Sequence, residues 1–268
     1  MLMNIISRAA REVSRDPSRL RKVFTIQGIR KIPGFITAQL GSLRKQARER
    51  RHAHAFKSDQ WAHGDELSVR RYASYEEYIV HQKSKLEGIL ADGTSLTKPA
   101  RVAKFRRRFE AVPELRTPMT ILCLAARLGH EVEALISLGH FAVGIDLNPG
   151  PENRYVVNGD FHSLQFADSS VDCIYTNSLD HALELEKIVV EVKRVLKPGG
   201  ILLVEIFRGY QEGEVVREFE AMHWPTARSL ADKIGELGGF ILEAERDPPP
   251  QGDPLWPQFV LRRPAAAG

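Results

Sequence analysis

From Thr120 onward, short apolar runs rich in β-branched residues alternate with segments of helical periodicity. No other feature of the chain limits its fold so much. The runs are Ile121–Leu124, Phe141–Ile145, Tyr155–Val157, Val171–Thr176 and Ile201–Ile206. Strands separated by helices lie parallel in one sheet, with helices covering both faces. Two further runs, Phe240–Glu245 and Gln258–Leu261, follow the helical stretch Thr226–Leu237 and suit an antiparallel pair at a sheet edge. The expected fold class is α/β: a seven-stranded, mostly parallel sheet with an N-terminal helical basic extension.

Charge divides the chain at the same place. Residues 1–116 hold 25 Lys+Arg against 12 Asp+Glu, whereas residues 117–268 hold 13 against 22. A basic extension over 1–116 and an acidic catalytic domain over 117–268 are expected, with a linker near Val112–Pro118 where Pro113 and Pro118 bracket a short stretch. The first fifteen residues place Leu2, Ile5, Ile6, Ala9 and Val13 on one helical face, with Arg8, Arg11 and Arg15 off it. Asp16-Pro17 then reads as an N-cap and first helical position. Such a segment suits a helix packed on its own domain, one lying on an anionic membrane surface, or a targeting peptide. Basic character resumes over Arg44–Arg51, beyond a short presequence.

Ser74-Tyr75-Glu76-Glu77 has capping-box spacing, and Tyr75, Tyr78, Ile79, Gln82, Leu86 and Ile89 continue at helical intervals up to the Asp92-Gly93-Thr94 turn. Arg101–Arg108 carries five positive charges with Phe105 and Phe109 interleaved. It reads either as a solvated helix with two apolar anchors or as a phosphate-gripping face. His52, His54 and His63 lack metal-ligand spacing and are read as structural. Cys123 and Cys173, each inside an apolar run, point to buried thiols and a reducing, cytoplasmic setting. No apolar run is long enough to cross a bilayer.

In a doubly wound sheet, ligands bind beyond the carboxyl ends of the strands. After the first strand comes Ala125-Ala126-Arg127-Leu128-Gly129-His130, leading into a helix at Glu131. Small residues there let a ligand approach the backbone, and the helix start offers free N–H groups. Asp146, 17 residues beyond Gly129, ends the second strand and is followed by Leu147. Its carboxylate is placed either to accept hydrogen bonds from ribose hydroxyls or to cap the next turn. Asp160 and Phe161 follow the third strand and combine a carboxylate with a ring, a pair that can hold an adenine by its amino group and its face. Asn177 and Asp180-His181 follow the fourth strand, and Lys197-Pro198-Gly199-Gly200 reads as a tight turn into the fifth.

The order Gly159-Asp160, Phe166-Ala167-Asp168-Ser169-Ser170-Val171-Asp172 and Arg194-Val195-Leu196-Lys197-Pro198-Gly199-Gly200 closely resembles class I methyltransferases, most nearly their type 11 branch. The resemblance is strong over about residues 119–207. It implies a Rossmann-like domain and S-adenosyl-L-methionine as cofactor. By that resemblance Ala125, Arg127 and Gly129 hold the methionine part. Asp146 and Leu147 hold ribose, Asp160 and Phe161 adenine, and Asn177 faces the transferable methyl.

The first motif departs from the family pattern. Cys123 stands where an acid is usual, and Ala125 and Arg127 stand where Gly is common. Either Arg127, Glu131 and backbone groups hold the amino-acid end differently, or cofactor binding has been lost.

Methyl transfer to a hydroxyl needs a base. His181 is the expected one, with Asp180 as its orienting partner or substitute. The expected acceptor is a small molecule or glycan, the Tyr75–Gln82 helix covering the pocket as a lid. The alternatives are a nucleic-acid methyltransferase and a non-catalytic scaffold.

Overall fold

Strand pairing bears out the alternation seen in the sequence. The computed structural model describes residues 60–91, 98–150 and 153–265. The main sheet has seven strands in the order β5-β4-β3-β6-β7-β10-β9. They are β3 (Thr120–Leu124), β4 (Phe141–Asp146), β5 (Val156–Asn158), β6 (Val171–Thr176), β7 (Leu196–Glu205), β9 (Ile241–Arg246) and β10 (Gln258–Arg262). β3 to β7 are parallel, and β10 runs antiparallel to both β7 and β9. β3 and β4 lie side by side from Thr120↔Phe141 to Leu124↔Ile145, so the residues after both strands emerge at one sheet end.

The helices bury one apolar stripe each. In α4 (Leu185–Val195) the buried residues are Leu185, Ile188, Val189, Val192 and Val195, the 3-4 spacing of a helix lying on a sheet. α5 (Ala227–Gly238) buries Ala227, Leu230, Ala231 and Ile234, and its Thr226 cap accepts a hydrogen bond from the Ser229 amide at 3.0 Å. These two share one core with Leu122, Ile174 and Val204. The opposite face is covered by α2 (Lys98–Glu110) and α3 (His130–Ser137), through Phe109, Val132 and Leu135 against Ile121, Cys123 and Tyr175. Both cysteines are buried and unpaired with one another.

The structure corrects four expectations. The described part of the extension is not wholly helical: β1 (Trp61–His63) and β2 (Ser68–Arg70) form a hairpin, and β2 pairs with β8 (Met222–His223) in a second sheet. Phe109, Val112 and Leu115 share one core with Ile121, Cys123 and Leu135, so the change at 116/117 marks where the main sheet begins and not a gap in packing among the described residues. The expected linker is a packed 3-10 turn, Pro113–Leu115, with Val112 and Leu115 buried. Lys197–Gly200 lies within β7 as an irregularity, the register shifting between Val171 and Cys173.

α2 is an anchored helix. Arg108 is buried in an ion pair with Glu205 of β7, and Tyr175 donates to the same carboxylate at 2.8 Å. Arg106 pairs with Glu110 along the helix. The basic run is therefore split, with Arg108 inside and Lys104, Arg106 and Arg107 exposed. The expected amphipathic start, the Asp16-Pro17 cap, Arg44–Arg51, His52, His54 and the Asp92-Gly93-Thr94 turn lie outside the described residues. Among the described residues, no helix is long and apolar enough to cross a membrane.

Candidate active site

The loop between β3 and α3 has the shape that glycines would give it, built from other residues. Ala125 and Arg127 have φ of 53° and 42°, and Gly129 has 72°. For an L-residue the left-handed region costs roughly 1–2 kcal/mol, so the surroundings must hold it. They do so from both sides. The Ala126 amide donates to the Ile145 carbonyl at 2.9 Å, and the Arg127 amide donates to Asp146 Oδ2 at 3.0 Å. Asn153 Nδ2 donates to the Arg127 carbonyl at 2.9 Å. A Cβ on Gly129 would stand 2.8 Å from Val156 Cγ2, so glycine is required there for space as well as for φ.

Asp146 caps the next turn, one of its two expected roles, and also tethers the loop. Its Oδ1 accepts the Asn148 amide at 2.8 Å, capping the turn, while Oδ2 tethers the loop. A carboxylate has about four acceptor positions, so each oxygen keeps one for a ligand hydroxyl. Burial raises its pKa above the ordinary Asp value, against the pull of the Asn148 amide and of Arg127. Asp160 stands at the neighbouring tip, where the Gly159 amide donates to the Asp146 carbonyl at 3.0 Å. Tyr75 donates to Asp160 Oδ2 at 2.5 Å, and the His162 amide donates to Oδ1 at 2.9 Å. Burial pushes the Asp160 carboxyl up, but these hydrogen bonds win and hold it below the usual range. Phe161 is buried beside it, its ring centroid 4.7 Å from that of His162.

Tyr75 belongs to α1 (Tyr75–Ala91), which lies across the strand tips. Its start has the expected cap: the Glu77 amide donates to Ser74 Oγ at 3.3 Å, and Glu77 reaches back to the Ala73 amide. Four side chains at helical spacing latch it. Besides Tyr75, Tyr78 donates to the His181 carbonyl at 2.9 Å and Gln82 to the Phe219 carbonyl at 2.9 Å. Lys85 Nζ donates to His181 Nε2. Beneath α1, between Asp146 and Phe161, about 30 Å³ is free. That is room for roughly one water.

Beside it opens a cleft of about 510 Å³, of ordinary ligand-site size. Arg127, Glu131, Asn177, Asp180, His181 and Glu220 are among its lining residues. Asp180 and His181 sit in a 3-10 turn after β6, Leu179–His181. His181 donates from Nδ1 to the Phe219 carbonyl at 2.8 Å, which leaves Nε2 as the acceptor that Lys85 engages. Burial drives the imidazole down to about 4, only partly opposed by Asp180, so the ring is neutral at pH 7. Asp180 is 8 % exposed; its Oδ2 lies 3.5 Å from His181 Nε2, and its Oδ1 is buried with no hydrogen-bond partner among the described residues. Burial lowers Lys85 to about 8, reinforced by Arg127, and raises Glu220 to about 7, reinforced by Asp180.

The expected site residues therefore gather at one sheet end in two groups. Ala125, Arg127, Asn177, Asp180 and His181 line the open cleft, while Asp146, Leu147 and Phe161 line the narrow one with Ala125, Arg127 and His181 again. Gly129 supports the loop from behind. Tyr75, Lys85 and Glu220 were missed. Lys85 had a visible signal, since it falls three residues after Gln82 on the aromatic face of α1. Tyr75 was expected as part of a lid helix but not as a partner of Asp160, and nothing local marks Glu220.

Strand order and the grouping of acids, small residues and cleft at the carboxyl ends define a class I S-adenosylmethionine-dependent methyltransferase fold. Residues 122–204 match the family described as "Methyltransferase domain". Among curated proteins it is similar to malonyl-[acyl-carrier protein] O-methyltransferase 1 of Coxiella burnetii, 33% identical over 92 residues. It is also similar to 24-methylenesterol C-methyltransferase 2 of Arabidopsis thaliana, 25% identical over 186 residues. Those alignments cover 32% and 56% of this chain and 33% and 49% of the relatives, so the chain spans half or less of each. The fold is shared with the 1,6-didemethyltoxoflavin-N1-methyltransferase of Burkholderia thailandensis, with TM-score 0.57 and 14% identity over 76% of this chain and 99% of that one.

Proposed function

We propose that the protein transfers a methyl group from S-adenosylmethionine to a hydroxyl of a small molecule or glycan that enters the 510 Å³ cleft. One observation carries the reading: Asp146 and the Ala125–Gly129 loop share a hydrogen-bonded strand tip that opens on a cleft floored by a carboxylate and an imidazole. The donor is an activated sulfonium, and it supplies the methyl group and the leaving thioether. The protein's work is to hold, align and dehydrate, where large effective molarities arise.

Asp146 holds the ribose hydroxyls through its two spare acceptor positions, and Asp160 with Phe161 holds the base. Both come within reach when α1 lifts, because Tyr75 covers Asp160 and little space remains under Tyr78. The same movement withdraws Lys85 from His181. His181 Nε2 then becomes free to take the acceptor's proton, with Asp180 beside it to stabilise the imidazolium. A base so placed contributes about 10²–10⁴ in rate. Helix α1 is thus a lid whose opening admits the donor and unmasks the base together.

The setting is proposed as cytoplasmic, with the basic start of the chain touching anionic membrane. Sedimentation with anionic vesicles that fails at low salt counts against that contact. The central test is calorimetry with S-adenosylhomocysteine. Folded wild-type protein is expected to bind, and Asp146→Ala to bind at least about tenfold more weakly through the loss of charge-assisted bonds. Equal affinity in the two proteins would end the assignment.

A further inference from the structure

The carboxylate missing from β3 has a substitute on the helix that follows. Cys123 is fully buried where the related pattern has an acid. Eight residues on, in the first turn of α3, Glu131 is only 6 % exposed and lines the open cleft with Arg127. A buried carboxylate is costly unless it is paired. Yet Glu131 makes no ion pair and no hydrogen bond to another described side chain, and the Arg127 guanidinium likewise makes neither. Burial pushes the Cys123 thiol's pKa up, and the nearby charge of Glu131 adds to it. Glu131 therefore lies within electrostatic reach of the position that the strand acid would have taken. The two unpaired charges of opposite sign flank one cleft beside the strained loop.

We infer that Glu131 and Arg127 form a zwitterion clamp: Glu131 holds the α-ammonium and Arg127 the α-carboxylate of an amino-acid group attached to the donor. The acid has moved from the strand to the helix, and the loop kept its left-handed shape while losing two glycines, because Arg127 now supplies a side chain from a glycine position. This inference rests on the proposed cofactor and specifies the residues that hold one end of it.

Two ligands separate the clamp from the rest of the site. S-adenosylhomocysteine carries the amino-acid group, whereas 5′-methylthioadenosine has the same nucleoside thioether without it. In calorimetry on the full chain, Glu131→Gln and Arg127→Gln are each expected to weaken S-adenosylhomocysteine by about 10–100-fold. Methylthioadenosine affinity stays within about twofold of wild type. Burial raises Glu131 to about 7; Arg127, Arg108 and its own amide pull it down, Asp146 pushes it up, and the Cys123 thiol and Tyr175 hydroxyl also face it. Wild-type preference for S-adenosylhomocysteine over methylthioadenosine should accordingly fall between pH 8 and pH 6 as Glu131 gains a proton. In Glu131→Gln the preference should be flat.

Unchanged S-adenosylhomocysteine affinity in either variant overturns the clamp and leaves the cofactor reading standing. Equal loss of both ligands also overturns it, since the residue then acts on the fold or the nucleoside end. Failure of wild-type protein to bind either ligand overturns the cofactor reading, and the clamp with it.

Discussion

Ala125 and Arg127 show how a residue can depart from a pattern while the backbone keeps to it. Both occupy the left-handed region. Glycine at 125 would relieve strain of roughly 1–2 kcal/mol while adding unfolded-state entropy worth about 0.5–1 kcal/mol. Ala125→Gly is therefore expected to leave the melting temperature unchanged or raise it slightly. A clear fall in thermal unfolding would show that the methyl group is packed to some purpose. Glu220 makes the opposite kind of claim. Its folded value of about 7 lies above the ordinary 4.5, so the folded state binds the proton more tightly. Its contribution is fully present below about pH 4.5 and is lost as pH rises through 7. Glu220→Gln should gain on wild type by roughly 1–3 kcal/mol between pH 5 and pH 8 in urea titrations, and an unchanged difference across that range would contradict it. These residues differ in legibility. Asp146 could be placed by its spacing from Gly129, and its dual use follows from a loop that no residue type announces. Glu220 is placed by the pairing of β8 with β2 and by Arg70, 150 residues away, which local sequence does not encode.

At the scale of elements, α1 holds the most information. Its cap and aromatic periodicity were legible, because both are spaced by the helix itself. Its partners were not, because Asp160, His181 and Phe219 come to it from 85 to 137 residues away. The Tyr75 hydroxyl bonds a charged acceptor, an interaction worth about 1.5–3 kcal/mol. Tyr75→Phe should speed hydrogen exchange of α1 amides and tighten S-adenosylhomocysteine binding by up to about tenfold, since the closed state is weakened. Slower exchange or weaker binding would mean that Tyr75 serves the ligand and not the lid. α5 offers a simpler check. Thr226→Ala removes a cap and should cost about 1 kcal/mol of stability in a denaturant melt, without changing ligand affinity.

For the whole molecule, charge was the misleading signal. A count placed a basic body before residue 117 and an acidic one after it, yet Arg108 and Glu205 meet inside across that line. Composition cannot tell a solvated arginine from one that holds a helix on a sheet. The strands were legible because burial on both faces leaves continuous apolar runs. The β1–β2–β8 sheet was not, since its strands are two or three residues long. Arg108→Ala is expected to cost about 3–5 kcal/mol by leaving Glu205 charged and unpaired, measured by urea unfolding. A loss below about 1 kcal/mol would show the pair to be dispensable.

The place of β10 carries a consequence for biogenesis. It is made after β9 but lies between β9 and β7, with Phe259 and Leu261 completely enclosed. During vectorial synthesis, β7 must therefore wait with its hydrogen-bonding rim bare until residues 258–262 leave the ribosome. A released chain ending at residue 257 should be held by chaperones and readily degraded, whereas one ending at residue 262 should escape both.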